Sequence, residues 1–283
     1  MEVSPSAYHA HARGGSHALS VAKAEAGERV KEVFYRHRRR YGARRIAAEL
    51  KAEGVRAGRF AVGAHLRRLG LQAIAPRRFR PQTTDSRHSA QASPNLLLET
   101  GNAPRGPGEV IVGDITYLPT RGGRWSYLAS WQDKFSKRIV GWAVADAMTE
   151  ELVIKAFERA IVSGTIKAGT IIHTDRGSQY VSKNFRALLA EYGCRQSMSR
   201  RGNCYDNATA ESFFSRFKAE LLEGGVFECG EQARSETFSY IEGYYNRVRR
   251  HSSLGYKSPA EFEREFNTKQ KGSSNESFVC GIT

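Results

Sequence analysis

The sequence predicts a mixed α/β domain built on a five-stranded sheet, preceded by a small all-α module. Short apolar runs typical of strands begin near residue 109, and amphipathic helical patterns separate the later runs. Residues 29–72 show helical periodicity instead. The chain has 283 residues, 40% of them hydrophobic, which is enough for one sizeable core and a smaller module.

Positive charge is concentrated in the N-terminal third of the chain. Residues 1–92 hold 19 Lys and Arg but 7 Asp and Glu, whereas residues 93–283 hold 25 and 22. This imbalance marks the N-terminal third as a candidate nucleic-acid-binding region, with a merely solvated surface as the alternative. An anionic membrane is a weaker alternative, because the helical segments lack a large apolar face with aromatic anchors.

The basic region is predicted to contain a helix-turn-helix module over residues 29–72. Three short helical patterns occur there, and a Gly-containing turn precedes the last one. We expect its arginines Arg59, Arg67 and Arg68 to contact DNA. Residues 1–28 are rich in Ala, Gly and His and are predicted to be poorly ordered.

Residues 73–105 are predicted to form an extended basic linker, because Pro-flanked arginines precede a polar run. Arg77 and Arg78 are well suited to phosphate contacts, although a plain tether is the alternative. The catalytic core is expected over residues 106–266, with C-terminal helices, and residues 267–283 are expected to form a disordered tail.

The order of elements in the core indicates a ribonuclease-H-like fold. Three strand patterns lie close together and suggest an antiparallel meander. A helix, a strand, a helix, a strand and a long helix follow, over residues 150–162, 170–173, 182–192, 195–198 and 206–222. In this fold the first and fourth strands are central neighbours, so residues at their carboxyl ends share one cleft.

Three acidic residues occupy positions from which they could meet in that cleft. Asp114 lies inside an apolar run, Asp175 ends another, and Glu211 follows on a helix after 35 intervening residues. An ionised carboxylate among apolar residues is costly unless it is paired or binds a metal. Taken singly, each could be a salt bridge, a turn residue or a solvated helix residue. Asp133 abuts a turn and is interpreted as structural.

Carboxylates in a strongly basic protein suggest metal chemistry on a polyanion. Mg²⁺ prefers such hard oxygen ligands, and two ions about 4 Å apart can drive phosphodiester displacement. Asp114 would bridge two Mg²⁺ ions, for which Mn²⁺ could substitute. Lys218 lies two turns beyond Glu211 on the same helix face, close enough to contact DNA. His173 could orient substrate or make structural hydrogen bonds.

Other features narrow the location of the protein. No apolar run approaches the length of a membrane span, and the N-terminus lacks the layout of a secretory signal. The four cysteines form no CxxC pair, so a zinc site is disfavoured and a reducing cytoplasm is expected.

The core resembles the DDE transposases of bacterial insertion sequences, and most closely the OrfB product of the insertion sequence 3 family. The matching motifs lie at residues 112–118, 173–180, 199–208, 211–214 with Lys218, and 244–260. The resemblance implies a catalytic core similar to retroviral integrases, with Asp114, Asp175 and Glu211 as the metal-binding catalytic triad. It also implies that Lys218 helps to position the transposon end.

The resemblance further implies that the enzyme cuts DNA to free a 3′-hydroxyl, which then attacks a second phosphodiester. Expected partners are the terminal inverted repeats, target DNA, a second copy of the chain or a higher oligomer, and an OrfA fusion or partner; the expected location is the bacterial nucleoid. Arg200 and Arg201, in a flexible loop, are expected to contact phosphate, with an ordinary surface loop as the alternative. A hydrolysis-only nuclease and a catalytically silent DNA-binding regulator remain alternatives.

Overall fold

The computed structural model describes residues 4–12, 21–76, 92–99, 103–200 and 208–279. The chain divides into two compact units, Met1–Ala75 and Pro76–Thr283. Among the described residues, no helix is both long and apolar enough to cross a bilayer.

The first unit is a small helical module. Its helices are α1 (Pro5–Ala12), α2 (Val21–Arg36), α3 (Ala43–Ala52) and α4 (Arg59–Arg68). α2, α3 and α4 contact one another. The apolar side chains that they and the α2–α3 connection bury are Val30, Val33, Phe34, Tyr41, Ile46, Leu50, Val62 and Leu66, and the connection also buries His37 and Arg40. The three predicted helices of a helix-turn-helix module are therefore present.

The first unit also corrects the predicted N-terminal boundary. Residues 1–28 were expected to be poorly ordered, yet α1 and the first eight residues of α2 are helical. The apolar stripe that signals a buried helix starts only at Val30, so periodicity missed the first turns of α2. Those turns are rich in Ala, the strongest helix former, so helix propensity and not an apolar stripe predicts the helix there.

The second unit is built on one mixed sheet of five strands. The strands are β1 (Val110–Pro119), β2 (Trp125–Asp133), β3 (Ile139–Ala145), β4 (Ile171–Thr174) and β5 (Arg195–Met198). Their spatial order is β3-β2-β1-β4-β5. β1 pairs antiparallel with β2 and parallel with β4, so the first and fourth strands are central neighbours. This order confirms the predicted ribonuclease-H-like fold.

Helices cover both faces of the sheet. They are α5 (Glu150–Val162), α6 (Lys183–Glu191), α7 (Ala208–Leu222), α8 (Gly230–Phe238) and α9 (Pro259–Val279), and a π-helical turn, Ser239–Tyr245, follows α8. On one face, Trp131 of β2 packs against Phe157 of α5 and Phe185 of α6. A second apolar cluster joins Phe213 and Phe217 of α7 to the sheet and to the π-helical turn.

Two segments differ from the predicted domain boundaries. Residues 267–279 belong to helix α9 and are not a disordered tail. Their polar composition hid the helix, whereas Phe262 and Phe266 near its start contact Phe135. Part of the predicted linker packs on the core, because the backbone N–H of Leu96 donates to Ser197 Oγ on β5 at 3.0 Å.

Candidate active site

Asp114 and Asp175 are carried by the two parallel central strands, Asp114 in the middle of β1 and Asp175 just past the end of β4. Val112 of β1 is in register with His173 of β4, so Asp114 is two residues beyond this pair. Asp175 directly follows the last residue of β4. The topology therefore brings together two residues that are 61 positions apart in sequence, at the edge where such sheets place their sites.

The side chain of Asp114 is half-buried and sits in a field of like charge. Its Oδ1 accepts a hydrogen bond from the backbone N–H of Ile115 at 2.8 Å. Burial raises the pKa of Asp114 well above its ordinary value, and the charges of Asp175 and Glu211 raise it further. The N–H of Ile115 and the ammonium of Lys218 oppose this shift. All four predicted side chains thus share one electrostatic environment.

A glycine near each aspartate, Gly113 within β1 and Gly177 in the turn after β4, allows the two aspartates their positions. A Cβ atom on Gly113 would lie 2.2 Å from the ring of Trp131, so only glycine permits this indole to pack beside Asp114. Asp175 Oδ1 accepts the backbone N–H of Gly177 at 3.0 Å, which closes a tight turn after β4. A Cβ on Gly177 would approach that same oxygen to 3.1 Å.

Glu211 and Lys218 reach the cleft from α7. Glu211 lies in the first turn of this helix, and seven residues, about two turns, separate it from Lys218 on the same face. Desolvation raises the pKa of Glu211 and lowers the pKa of Lys218, while Asp114 favours the charged ammonium of Lys218. The cluster therefore contains three carboxylates and one cation.

The donor chemistry of the cluster fits a divalent cation. Three carboxylates supply the hard oxygen ligands that Mg²⁺ prefers, and their mutual repulsion is the kind that a bound cation relieves. Among the residues that the structure describes, no group of three or more His, Cys, Asp or Glu side chains is arranged to hold a metal ion. The carboxylates are thus neighbours, but they do not form a closed coordination site.

His173 is fully buried, and both of its ring nitrogens make hydrogen bonds. Nδ1 pairs with Ser197 Oγ at 2.8 Å and Nε2 with Ser199 Oγ at 3.1 Å. Both serines lie on or directly after β5. This bonding favours the structural alternative for His173, because neither nitrogen is left to orient a substrate.

Asp133 has the bonding of a structural carboxylate. It is fully buried at the end of β2, and its oxygens accept from Gly108 N at 3.0 Å, Ser136 N at 2.7 Å and Ser136 Oγ at 2.6 Å. These donors hold the turn between β2 and β3 against the segment before β1.

The predicted DNA-contacting residues lie at separate places along the chain. Arg59, Arg67 and Arg68 are exposed on α4 in the first unit. Arg200 is exposed directly after Ser199, whose backbone N–H is bonded to Thr174 O beside the cleft. The other three predicted arginines, Arg77, Arg78 and Arg201, lie outside the described residues.

Sequence reasoning did not single out Tyr180 as a site residue. Its ring is buried, and the charges of Asp114 and Asp175 add to burial in raising the pKa of its hydroxyl. Tyr180 contacts Trp131 edge to face and so forms part of the wall behind the two aspartates. The sequence signal that could have identified Tyr180 was its position five residues after Asp175, within the motif at residues 173–180.

A ribonuclease-H-like sheet with an acidic cluster beside its two central strands defines the class of polynucleotidyl transferases. Family comparison agrees with this class. A family model for the integrase core domain matches residues 104–204, and a second integrase core domain model matches residues 192–259. A model for an HTH-like domain matches residues 22–79.

Two transposases of insertion sequences are close relatives of the chain. The transposase for IS904 of Lactococcus lactis is 40% identical over 237 residues, which cover 84% of this chain and 92% of that protein. Transposase InsF for IS3A of Escherichia coli is 42% identical over 236 residues, covering 83% and 81%. The chain belongs to the insertion sequence IS3 family of transposases, and it is therefore an enzyme of DNA transposition.

Retroviral integrases appear among the similar solved structures. The HTLV-2 integrase catalytic core domain in complex with magnesium has a TM-score of 0.42 and 19% identity, and the match covers 57% of this chain and 99% of that one. A simian T-cell lymphotropic virus intasome has a TM-score of 0.45 and 15% identity, with 83% and 74% covered.

Proposed function

We propose that this transposase cuts and joins DNA at a single site formed by Asp114, Asp175 and Glu211, with Lys218 beside it. One observation carries the proposal: the parallel pairing of β1 with β4 sets Asp114 beside Asp175, and the charges of Asp175 and Glu211 both raise the pKa of Asp114. Side chains from the end of β4 and from α7 therefore act on the same carboxylate of β1, as a shared metal site requires. These residues are far apart in sequence and their like charges repel, so their proximity favours a functional role over chance.

The proposed cofactor is Mg²⁺, as two ions held by the three carboxylates, with Mn²⁺ as a substitute. Bound ions would activate the attacking oxygen and stabilise the leaving one. Asp114 lies on the central strand of the sheet and interacts with both other carboxylates, so it is the candidate ligand to both ions. Lys218, whose ammonium is half-buried beside Asp114, would contact a phosphate oxygen of the transposon end.

The reaction consists of two balanced displacements at phosphorus. In the first, a water oxygen bonds to phosphorus at the transposon end and the bond to the 3′ oxygen breaks. The water gives up a proton and the leaving oxygen gains one, which frees a 3′-hydroxyl and leaves a 5′-phosphate. In the second, that hydroxyl attacks a target phosphodiester and displaces the target's 3′ oxygen, so no outside energy source is needed.

DNA recognition is assigned to the basic surfaces. The exposed Arg59, Arg67 and Arg68 on α4 would contact the terminal inverted repeats, and Arg200 with Arg201 would contact phosphate near the cleft. Arg77 and Arg78 are candidates for the same role. Two DNA ends must be held together, which favours a homodimer or higher oligomer, with an OrfA fusion or partner for end recognition. The place of action would be the bacterial nucleoid.

A strand-transfer assay tests the proposed reaction. Labelled DNA carrying the flanking inverted repeats is incubated with purified protein and Mg²⁺, with and without the upstream reading frame. We expect joined products with Mg²⁺ and none with EDTA. Joining by an Asp114→Asn variant would overturn the assignment. Cleavage without joining by the wild-type protein would favour the hydrolysis-only nuclease. DNA binding that needs no metal, without cleavage, would favour the DNA-binding regulator.

Binding of the inverted repeats should weaken steeply with salt. Neutralising phosphates releases counterions, so about six phosphate contacts lower affinity roughly 1,000-fold between 50 and 200 mM salt. Fluorescence anisotropy over that range measures the slope. The Arg67→Gln, Arg68→Gln double variant should flatten it, and a salt-insensitive affinity would contradict the assignment of these arginines.

A further inference from the structure

A buried ion pair joins α7 to the C-terminal part of the core. Glu220 of α7 and Arg249 each expose 2% of their side chains. Arg249 donates from Nη2 to Glu220 Oε1 at 2.5 Å and from Nε to Oε2 at 2.9 Å. The hydroxyl of Tyr240 donates to the same Oε2 at 2.8 Å. Glu220 is thus held in one orientation by a guanidinium and a phenol.

The groups that hold Glu220 come from an unusual segment. Tyr240 belongs to the π-helical turn Ser239–Tyr245, and such turns occur frequently at functional sites. The same turn presses on α7 through Tyr245, whose ring centroid is 4.9 Å from that of Phe213, and through Tyr240, 5.2 Å from Phe217. The turn and Arg249 therefore contact one side of α7 over two of its turns.

A buried ion pair contributes little net stability, because removing both charges from water costs about as much as their attraction returns. A well-packed pair of apolar side chains could join the same surfaces. What the bidentate pair adds is direction, since a planar guanidinium accepts a carboxylate in few orientations. The pair is therefore better suited to setting the rotation of α7 than to strengthening its packing.

Helical geometry places this ion pair opposite the catalytic edge of α7. Each residue turns an α-helix by about 100°, so the nine positions from Glu211 to Glu220 correspond to about 180°. Lys218 lies within about 20° of Glu211 by the same count. The apolar residues that pack on the sheet lie between these two edges of the helix.

We propose that Glu220 and Arg249 are positioning residues that set the axial rotation of α7 and so direct Glu211 and Lys218 towards Asp114. This inference rests on the proposed function of those three residues. A carboxylate about 6 Å from a helix axis moves by about 1 Å for each 10° of rotation. A displacement of that size can lower the rate about 100-fold.

Three variants test the ion pair. The double variant Glu220→Leu, Arg249→Met removes both buried charges together, so neither remains unpaired. Glu220→Gln removes one charge and leaves the shape. Tyr240→Phe removes one hydrogen bond and keeps both charges. The matched control is Glu263→Gln, which breaks the Arg138–Glu263 ion pair on α9, 3.0 Å long, without touching α7.

The readouts separate positioning from stability. We expect the double variant to melt near the wild-type temperature. Its KM for DNA ends should stay within about threefold of the wild-type value, while its turnover falls about 100-fold. The Mg²⁺ concentration for half-maximal activity should rise, and amide hydrogen exchange in the first turn of α7 should speed up. Tyr240→Phe should change the same quantities by about threefold, the value of one hydrogen bond.

The proposal fails if a folded double variant keeps wild-type turnover, Mg²⁺ dependence and exchange in α7. It also fails if Glu263→Gln lowers turnover as much as the double variant does. Should the double variant not fold, unchanged turnover and exchange in Tyr240→Phe would overturn it. A wild-type protein that joins no DNA would instead refute the proposed function, and the exchange measurement would still decide whether the pair holds α7.

Discussion

Two aspartates on neighbouring strands of the same sheet have opposite surroundings. Asp133 ends β2, in register with Ile111 of β1, three residues before Asp114. Asp133 is fully buried and accepts three hydrogen bonds, from Gly108 N, Ser136 N and Ser136 Oγ. Asp114 is half-buried, and among the described residues it accepts one, from Ile115 N.

The contrast shows how to separate a structural carboxylate from a functional one. The carboxylate of Asp133 accepts from Ser136 in its own turn and from Gly108 before β1, so nothing further is needed at that site. Asp114 instead faces Asp175 and Glu211, and those like charges help to raise its pKa. A carboxylate that is buried beside like charges has lone pairs that can bind a cation, and a bound cation would relieve the repulsion.

The largest expected effect is on catalysis by Asp114→Asn. Loss of the candidate bridging ligand should lower strand transfer by about 10,000-fold, the scale of removing one member of a catalytic unit. Asp133→Asn should stay within about threefold per folded molecule. Single-turnover joining assays measure both, with the exposed Asp146→Asn as the control. Similar losses in the two variants would erase the distinction between these aspartates.

A smaller loss of turnover is expected from Lys218→Met. Its ammonium offsets part of the negative charge at Asp114, so its removal should raise the pKa of Asp114 further. A charged hydrogen bond is worth about 10- to 100-fold in rate. The control is Arg216→Met, which removes an exposed charge from the far side of the same helix. Equal turnover in both variants would show that Lys218 contributes only general positive charge.

Stability should respond in the opposite sense to catalysis. Asp133→Asn places an amide N–H₂ among N–H and O–H donors and should lower the free energy of unfolding by about 1–3 kcal/mol. Asp114→Asn removes charge repulsion and should not destabilise the protein. Urea titrations monitored by fluorescence compare the two with wild type, and a destabilised Asp114→Asn would indicate that its carboxylate is structural.

The smallest expected effect is a difference in the pH dependence of stability between the wild-type protein and the Asp114→Asn variant, both measured in EDTA. Because folding raises the pKa of Asp114, folded protein binds its proton more tightly than unfolded protein does. Stability from this group is therefore present below about pH 4 and is lost as pH rises towards the folded pKa. The difference between the two proteins should grow as pH rises from about 4 towards the folded pKa, and Mg²⁺ should reduce it. Identical pH profiles for the two proteins would contradict the shift.

Several features of the fold could be predicted because local pattern decides them. The apolar runs of β1, β2 and β3 and the amphipathic stripe of α5 encode both element type and order. That order, with the rule on central strands, was enough to bring Asp114 and Asp175 together. Residues 267–279 of α9 and the first turns of α2 escaped prediction, because polar and Ala-rich helical segments carry no apolar stripe for periodicity to detect.

By itself, the sequence determined the element order of the core, the basic character of the N-terminal unit and the placing of the acidic residues on or next to two strands and a helix. These depend on hydrophobic period and charge, which each segment carries independently of its neighbours. Only the tertiary structure decided that Asp133 is satisfied while Asp114 is not, that both nitrogens of His173 are bonded, and that Arg249 holds Glu220. Those outcomes depend on which donors distant segments bring within about 3 Å, a distance that no local pattern encodes.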